Sequence, residues 1–162
     1  MDRIRQMITQ AKKGGKHIWF TTCMIVQLGA FFVLSEKYLF SIIGVKGPSM
    51  EPVLGARDNI VFVNLFKWKI LGQLKRNDVI VAVNPFKPGY QIVKRVLYMS
   101  GETAKFKKND GEYEYVKIPP NHIWVEGDNK KNSRDSRNFG PLSLNLVEGI
   151  ATRRVWPRHS IL

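Results

Sequence analysis

Residues 18–34 form the longest uncharged run in the chain, beginning at Ile18 and ending just before Ser35 and the charged pair Glu36-Lys37. A helix that crosses the hydrocarbon layer of a bilayer needs about 20 apolar residues, within a range of about 17 to 25. This run of 17 residues therefore reads as a membrane anchor. A cleaved secretory signal has a shorter apolar core and a small-residue cleavage site, and Val33-Leu34-Ser35-Glu36 does not resemble one. A buried core helix is the third reading of the same pattern.

Beyond Gly44 the pattern changes to short β-branched runs separated by Gly, Pro, Asn and Asp. Runs at 59–63, 78–83, 91–97, 113–118, 122–126 and 149–155 predict strands, with breakers at 55–58, 84–89, 108–111, 119–121 and 128–141. No helical periodicity of comparable length follows residue 44. The predicted organisation is a basic N-terminus and anchor over 1–43, followed by a compact domain over 44–162. The fold class is mainly β with one N-terminal transmembrane helix. Lys67-Trp68-Lys69-Ile70-Leu71 has no place in that scheme, and Trp68 suits a loop lying against the bilayer interface.

At 162 residues the chain has room for one domain plus an appendage. Its 26 Lys and Arg against 13 Asp and Glu give a net charge of +13, which suits nucleic acid or an anionic membrane as partner. An anchor is present and no zinc-finger or aromatic ribonucleoprotein pattern is, so membrane lipid is the predicted partner and nucleic acid is not. Arg3, Arg5, Lys12, Lys13 and Lys16 precede the apolar run, whereas only Lys37 and Lys46 closely follow it. That asymmetry leaves the N-terminus on the cytoplasmic or matrix side and the domain across the membrane. Cys23, the one cysteine, lies in the apolar run and reads as a small hydrophobe.

Gly47-Pro48-Ser49-Met50-Glu51-Pro52 follows the anchor. Two prolines stiffen the backbone around Ser49, and Gly47 permits close approach of another segment. A serine hydroxyl becomes a useful nucleophile only when a base takes its proton. Among the three histidines, His17 precedes the anchor and His159 sits near the C-terminus, which leaves His122. His122 suits a solvated turn, although a triad of Ser49, His122 and either Asp128 or Asp135 stays open. No histidine or cysteine pair has metal-ligand spacing.

Lys94 is the other candidate base, because burial disfavours an ammonium and lowers its pKa. In Gln91-Ile92-Val93-Lys94-Arg95-Val96-Leu97, strand alternation puts Lys94 on the face of Ile92 and Val96. A buried base and an edge-strand lysine that discourages aggregation are equal readings of that periodicity. The long polar stretch from Gly127 to Pro141 would supply Ser and Asn groups to aim a neutral amine without adding charge, and Asp135 and Arg137 would brace it by pairing.

Taken together, the Ser-Met-x-Pro box at Ser49, Lys94-Arg95-Val96, and Gly127-Asp128-Asn129 with Asn132-Ser133, Asp135-Ser136-Arg137 and Gly140-Pro141 resemble the type I signal peptidases. Within these the chain is most similar to the mitochondrial inner membrane proteases, and to their catalytic subunit 1. The resemblance runs from the anchor to Trp156. It implies an all-β catalytic domain, Ser49 as nucleophile, Lys94 as general base, Ser133 orienting the lysine, Asp135 and Arg137 as a bracing pair, and Met50 near the substrate pocket. Arg95 matches a structural arginine. It implies no cofactor, presequence-bearing precursors as substrates, a second homologous peptidase subunit as partner, and an inner-membrane position with the domain in the intermembrane space. Only 32 residues separate Lys94 from Gly127, so the large inserted domain of many bacterial members is absent. Gly47 stands where some bacterial relatives place an oxyanion-hole serine, which leaves backbone N–H donors, chiefly that of Ser49. Tyr98-Met99-Ser100-Gly101-Glu102 departs from the usual turn after the lysine strand, and Lys130, Lys131 and Arg134 have no counterpart. The competing functions are a bacterial-type signal peptidase for exported proteins, a noncatalytic subunit of a protease complex, and a basic β module held at anionic lipid.

Overall fold

In a computed structural model the chain is described over residues 2–107, 111–157 and 160–162, with side chains described from Ile18 onward except at Glu36. The side chain of His17 and all of His159 lie outside the described residues. The first compact unit ends at Lys37 and the second is Tyr38–Leu162. Residues 38–43, grouped with the anchor on sequence, thus belong to the second unit.

Helix α1 covers Asp2–Tyr38. Its Ile18–Ser35 stretch is long and apolar enough to cross a membrane, and only 6% of it is buried. The core-helix reading therefore fails, since a core helix would be covered by protein. At about 1.5 Å per residue the stretch is roughly as long as the hydrocarbon layer is thick. Thr22 Oγ1 donates to the Ile18 carbonyl at 2.9 Å and Ser35 Oγ to the Phe32 carbonyl at 2.7 Å, so these hydroxyls are satisfied within the helix.

The second unit is built from β1 (Phe40–Val45), β2 (Asn59–Asn64), α2 (Leu65–Lys69), β3 (Val79–Val83), β4 (Gln91–Tyr98), β5 (Thr103–Lys107), β6 (Tyr113–Lys117), β7 (His122–Glu126), α3 (Ser136–Phe139), β8 (Leu142–Ser143), β9 (Val147–Trp156) and β10 (Ser160–Ile161). The main sheet runs β1-β2-β9-β3-β4-β7-β8, with β10 beside β9, and β5 and β6 form a separate hairpin. All the pairings are antiparallel. Strand β3 explains the density of the centre. Val79 and Val81 enter one core with Met50, Leu54, Val61 and Val63, while Ile80 and Ala82 enter a second with Val96, Ile123 and Val125. A strand covered on both faces has no polar alternation to show, and Val-Ile-Val-Ala-Val has none.

Each predicted strand is present within a residue or two at its ends. Strand β1 was hidden because its apolar run follows the anchor after only the charged pair Glu36-Lys37 and was grouped with it. Strand β5 was missed although Ala104 and Phe106 alternate inward, since Ala and Lys are weak strand formers. The segment around Trp68 is a correction. Residues Leu65–Lys69 are helical, capped by the Asn64 side chain accepting from Lys67 N at 2.8 Å. Trp68 packs on the second core and its Nε1 donates to the Val147 carbonyl at 2.8 Å. Half-buried and with a partner for its one donor, Trp68 ties α2 to β9, so the segment is a packed helix and not a loop.

Strand β9 crosses close over β2 and α2 at Gly149, where a Cβ would lie 2.6 Å from Val63 Cγ1 and 2.8 Å from Leu65 Cδ2. Gly149→Ala forces those side chains aside and should lower unfolding free energy by about 1–3 kcal/mol, as measured by chemical denaturation.

Candidate active site

Ser49 sits in a 3-10 turn over Pro48–Met50, entered through Gly47 at φ 119° and ψ 152°. That dihedral, which an L side chain rarely adopts, is what requires glycine; no described atom lies within 4 Å of where its Cβ would be. The expected close approach to the Gly47 main chain is made by Ala56, on the side away from the open Cβ position. Leu54 N donates to the Met50 carbonyl at 2.8 Å and Gly47 N to the Ala56 carbonyl at 2.9 Å, which closes the turn on itself. Met50 is 1% exposed in the first core. It anchors the turn that carries Ser49 and is not itself among the residues lining the cavity beside Ser49.

Lys94 reaches the same point from β4. Its Nζ lies 2.7 Å from Ser49 Oγ, and the residue is 4% exposed. It stands opposite Ile80 in the sheet, and Ile80, Val96 and Ile92 share one core. Because β4 is hydrogen-bonded to β3 on one side and β7 on the other, the edge-strand reading of Lys94 is excluded. Burial pushes the Lys94 pKa below the ordinary lysine value. The Arg137 guanidinium pushes the same way, and the Asp135 and Asp128 carboxylates oppose without prevailing. A cavity of about 190 Å³ opens on the pair, walled by β1 and β4 through Ile43, Gly44, Val45, Gln91, Ile92 and Val93.

Both acids near the lysine are held by guanidinium groups. Arg95 grips Asp128 in a fork, Nε to Oδ1 at 2.8 Å and Nη2 to Oδ2 at 2.7 Å. Arg137 grips Asp135 likewise, at 2.8 Å through Nε and 2.9 Å through Nη2. Asp135 is fully buried, caps α3 and accepts from Ser133 Oγ at 2.6 Å and Gly127 N at 3.0 Å. Burial alone would raise its pKa, but the bonds from Arg137, Ser133 and Gly127 outweigh that and hold it below the ordinary carboxylate value. With these partners neither acid is placed to serve His122, whose Nδ1 lies 2.8 Å from the Pro120 carbonyl. The described hydrogen bonds tie Ser133 to Asp135 rather than to Lys94.

Sequence reasoning missed the contacts that join the polar stretch to the serine turn. Asn129 N donates to the Ser49 carbonyl at 3.0 Å and Asn129 Nδ2 to Glu51 Oε2 at 3.2 Å. Gly127 lies between the two segments: a Cβ there would collide with Ser133 Oγ and the Ser49 carbonyl oxygen and lie 2.7 Å from Ser133 Cβ. The Gly-Asp-Asn order was visible, but nothing local in it says which backbone it touches.

The family model for signal peptidase, peptidase S26, matches residues 17–112 and 102–156. The chain belongs to this signal peptidase family. This S26 chain is 32% identical over 133 residues to mitochondrial inner membrane protease subunit 1 of Schizosaccharomyces pombe, covering 82% of this chain and 84% of that one. It is 37% identical over 116 residues to mitochondrial inner membrane protease subunit 2 of Mus musculus, covering 70% and 65% respectively. A crystal structure of a signal peptidase I from Enterococcus faecalis matches at TM-score 0.44 and 23% identity, over 49% of this chain and 97% of that one. The family assignment rests on the sequence matches. Membership makes the chain a serine peptidase of signal-peptidase type. Gly127→Ala in this S26 chain should cut peptide cleavage about 100-fold, since a displacement near 1 Å at reacting groups costs that much, while circular dichroism stays that of the folded chain.

Proposed function

We propose that the chain is a membrane-anchored endopeptidase that removes sorting presequences at the mitochondrial inner membrane, with Ser49 as nucleophile and Lys94 as general base. The observation that carries the catalytic assignment is the 2.7 Å separation of Lys94 Nζ and Ser49 Oγ, with the lysine 4% exposed. A buried, deprotonated amine holds a lone pair toward the hydroxyl; an exposed ammonium would hold none. The relatives' names support the compartment and the subunit-1 reading, which has the longer match, 82% of this chain against 70% for subunit 2. They also support a second homologous subunit as partner. The basic N-terminal segment supports a domain facing the intermembrane space.

In the reaction, Ser49 Oγ attacks the scissile carbonyl carbon while its proton passes to Lys94 Nζ. The resulting ammonium gives that proton to the leaving amine nitrogen as the C–N bond breaks, which leaves an acyl ester on Ser49 and a neutral lysine. Water then attacks the ester, Lys94 takes its proton, and the proton returns to Oγ as the acid departs. Asp128 and Asp135 favour the ammonium, and burial, aided by the Arg137 charge, outweighs them. Ser133 and Asp135 act as positioning residues beneath the pair. The anchor raises the local concentration of membrane-bound precursors around the cleft.

Ser49→Ala and Lys94→Arg should each reduce presequence cleavage by about 10³-fold or more, since nucleophile and base work as a unit. The sign with pH follows from the lowered lysine pKa: the neutral amine is the active form, so kcat/KM falls as pH drops through that pKa and is restored above it. Wild-type cleavage by either variant would end the assignment.

A further inference from the structure

Lys130, Lys131 and Arg134 belong to the polar stretch but have no part in the chemistry above. Arg134 stacks on Phe86 with its guanidinium carbon 4.6 Å from the ring centre, and Lys131 is exposed. Lys130 instead lines a cavity of about 400 Å³ together with Lys105, Lys107 and Arg137. These four cations come from three separate segments, β5, the 3-10 turn Lys130–Asn132 and α3. The same cavity is walled by Leu97, Phe106, Tyr98 and Tyr113.

Among the described residues that line the cavity, Glu126 is the one acid. Glu126 is 5% exposed, and its Oε1 accepts from Trp124 Nε1 at 3.0 Å. Its Oε2 lies 3.9 Å from both Lys130 Nζ and Arg137 Nε, too far for a direct hydrogen bond to either. Asp135 already offsets Arg137, so the three lysines less Glu126 leave a formal excess of two on this wall. Lys105 is held over the Tyr113 ring at 4.4 Å, a contact that leaves its N–H groups available. Arg137 uses Nε and Nη2 on Asp135 and the Lys130 carbonyl. Its Nη1 makes no hydrogen bond among the described residues.

Cations lining one cavity from three segments suit a tetrahedral, multiply charged group better than a planar carboxylate with two oxygens. The volume exceeds what a bare phosphate fills and falls within the range of small-molecule sites, about 300–1,000 Å³. The Leu97, Phe106 and tyrosine walls can take an apolar or planar attachment. We propose that this cavity binds a phosphate-bearing ligand, gripped by Lys105, Lys107 and Lys130 and completed by Arg137. The phosphate belongs either to a lipid headgroup or to a soluble compound. Through Arg137 the ligand shares a group with the brace on Asp135, which itself holds Ser133 and Gly127 beneath Ser49, so occupancy and the set of the catalytic pair are thermodynamically linked. The binding claim does not depend on the catalytic reading.

The test uses the full chain in nanodiscs of phosphatidylcholine, with melting temperature followed during titration with inorganic pyrophosphate at constant ionic strength. A saturable rise is expected, with apparent affinity weakened about tenfold or more in Lys107→Gln/Lys130→Gln and unchanged in Lys87→Gln/Lys131→Gln, whose residues lie outside the cavity. A rise in discs containing phosphatidylglycerol, without pyrophosphate and lost in the same cavity variant, identifies the lipid headgroup as source. A rise with pyrophosphate alone identifies a soluble phosphate. No saturable response to either, an equal response in the cavity variant, or tighter binding of a polyglutamate peptide than of pyrophosphate overturns the proposal.

Discussion

The cost of keeping an ammonium out of water is the constraint on which this molecule is organised. Lys94 is fixed in an interior strand opposite Ile80, inside the sheet's second core. Burial favours its neutral form and outweighs the two carboxylates that act on it in the opposite sense. Each is committed elsewhere, Asp128 to Arg95 and Asp135 to Arg137, by forked pairs whose charges largely cancel. The guanidiniums thus have an indirect chemical consequence. They allow acids to serve as scaffolding beside a base that must stay uncharged.

Position is governed by a second constraint, backbone packed against backbone. The serine turn and the stretch after Gly127 touch through the Asn129 N–H on the Ser49 carbonyl, with Gly127 too tightly enclosed to carry a side chain. The turn is held from below by Met50 in the first core, while the lysine arrives from a strand whose Val96 belongs to the second. The reacting pair therefore bridges the two cores, and neither group has to be held by a flexible loop alone. The cation-lined cavity meets this framework at Arg137, at Lys130 and at the end of the lysine strand, Leu97 and Tyr98.

Much of this was legible in the sequence, for reasons that differ by residue. Ile92 and Val96 flank Lys94 at a two-residue period, which locates the amine's face but leaves open whether that face is covered; only the neighbouring strands β3 and β7 decide it. The anchor announces itself because length and absence of charge suffice. Met50 was legible as apolar, yet nothing local distinguishes a residue that lines a cleft from one that plugs the core beneath it. Trp68 fails in the same way, since its partner, the Val147 carbonyl, is 79 residues distant. Gly47 was legible as special, but that its backbone sits at φ 119° depends on the folded turn and not on local pattern. Arg95 and Asp128 were each visible, but a pairing across 33 residues depends on strand register that periodicity alone does not provide.

The central claim is that the amine of Lys94 is uncharged under working conditions because it is buried against Ser49. Its ionisation can be read directly by heteronuclear NMR titration of labelled lysine side chains in the full chain, with Lys94→Arg identifying the resonance. The account predicts that the Lys94 signal titrates below the ordinary lysine value, and that this lowering persists in Ser49→Ala, since burial and not the hydroxyl is its cause. A Lys94 resonance that titrates at the ordinary lysine value would contradict it.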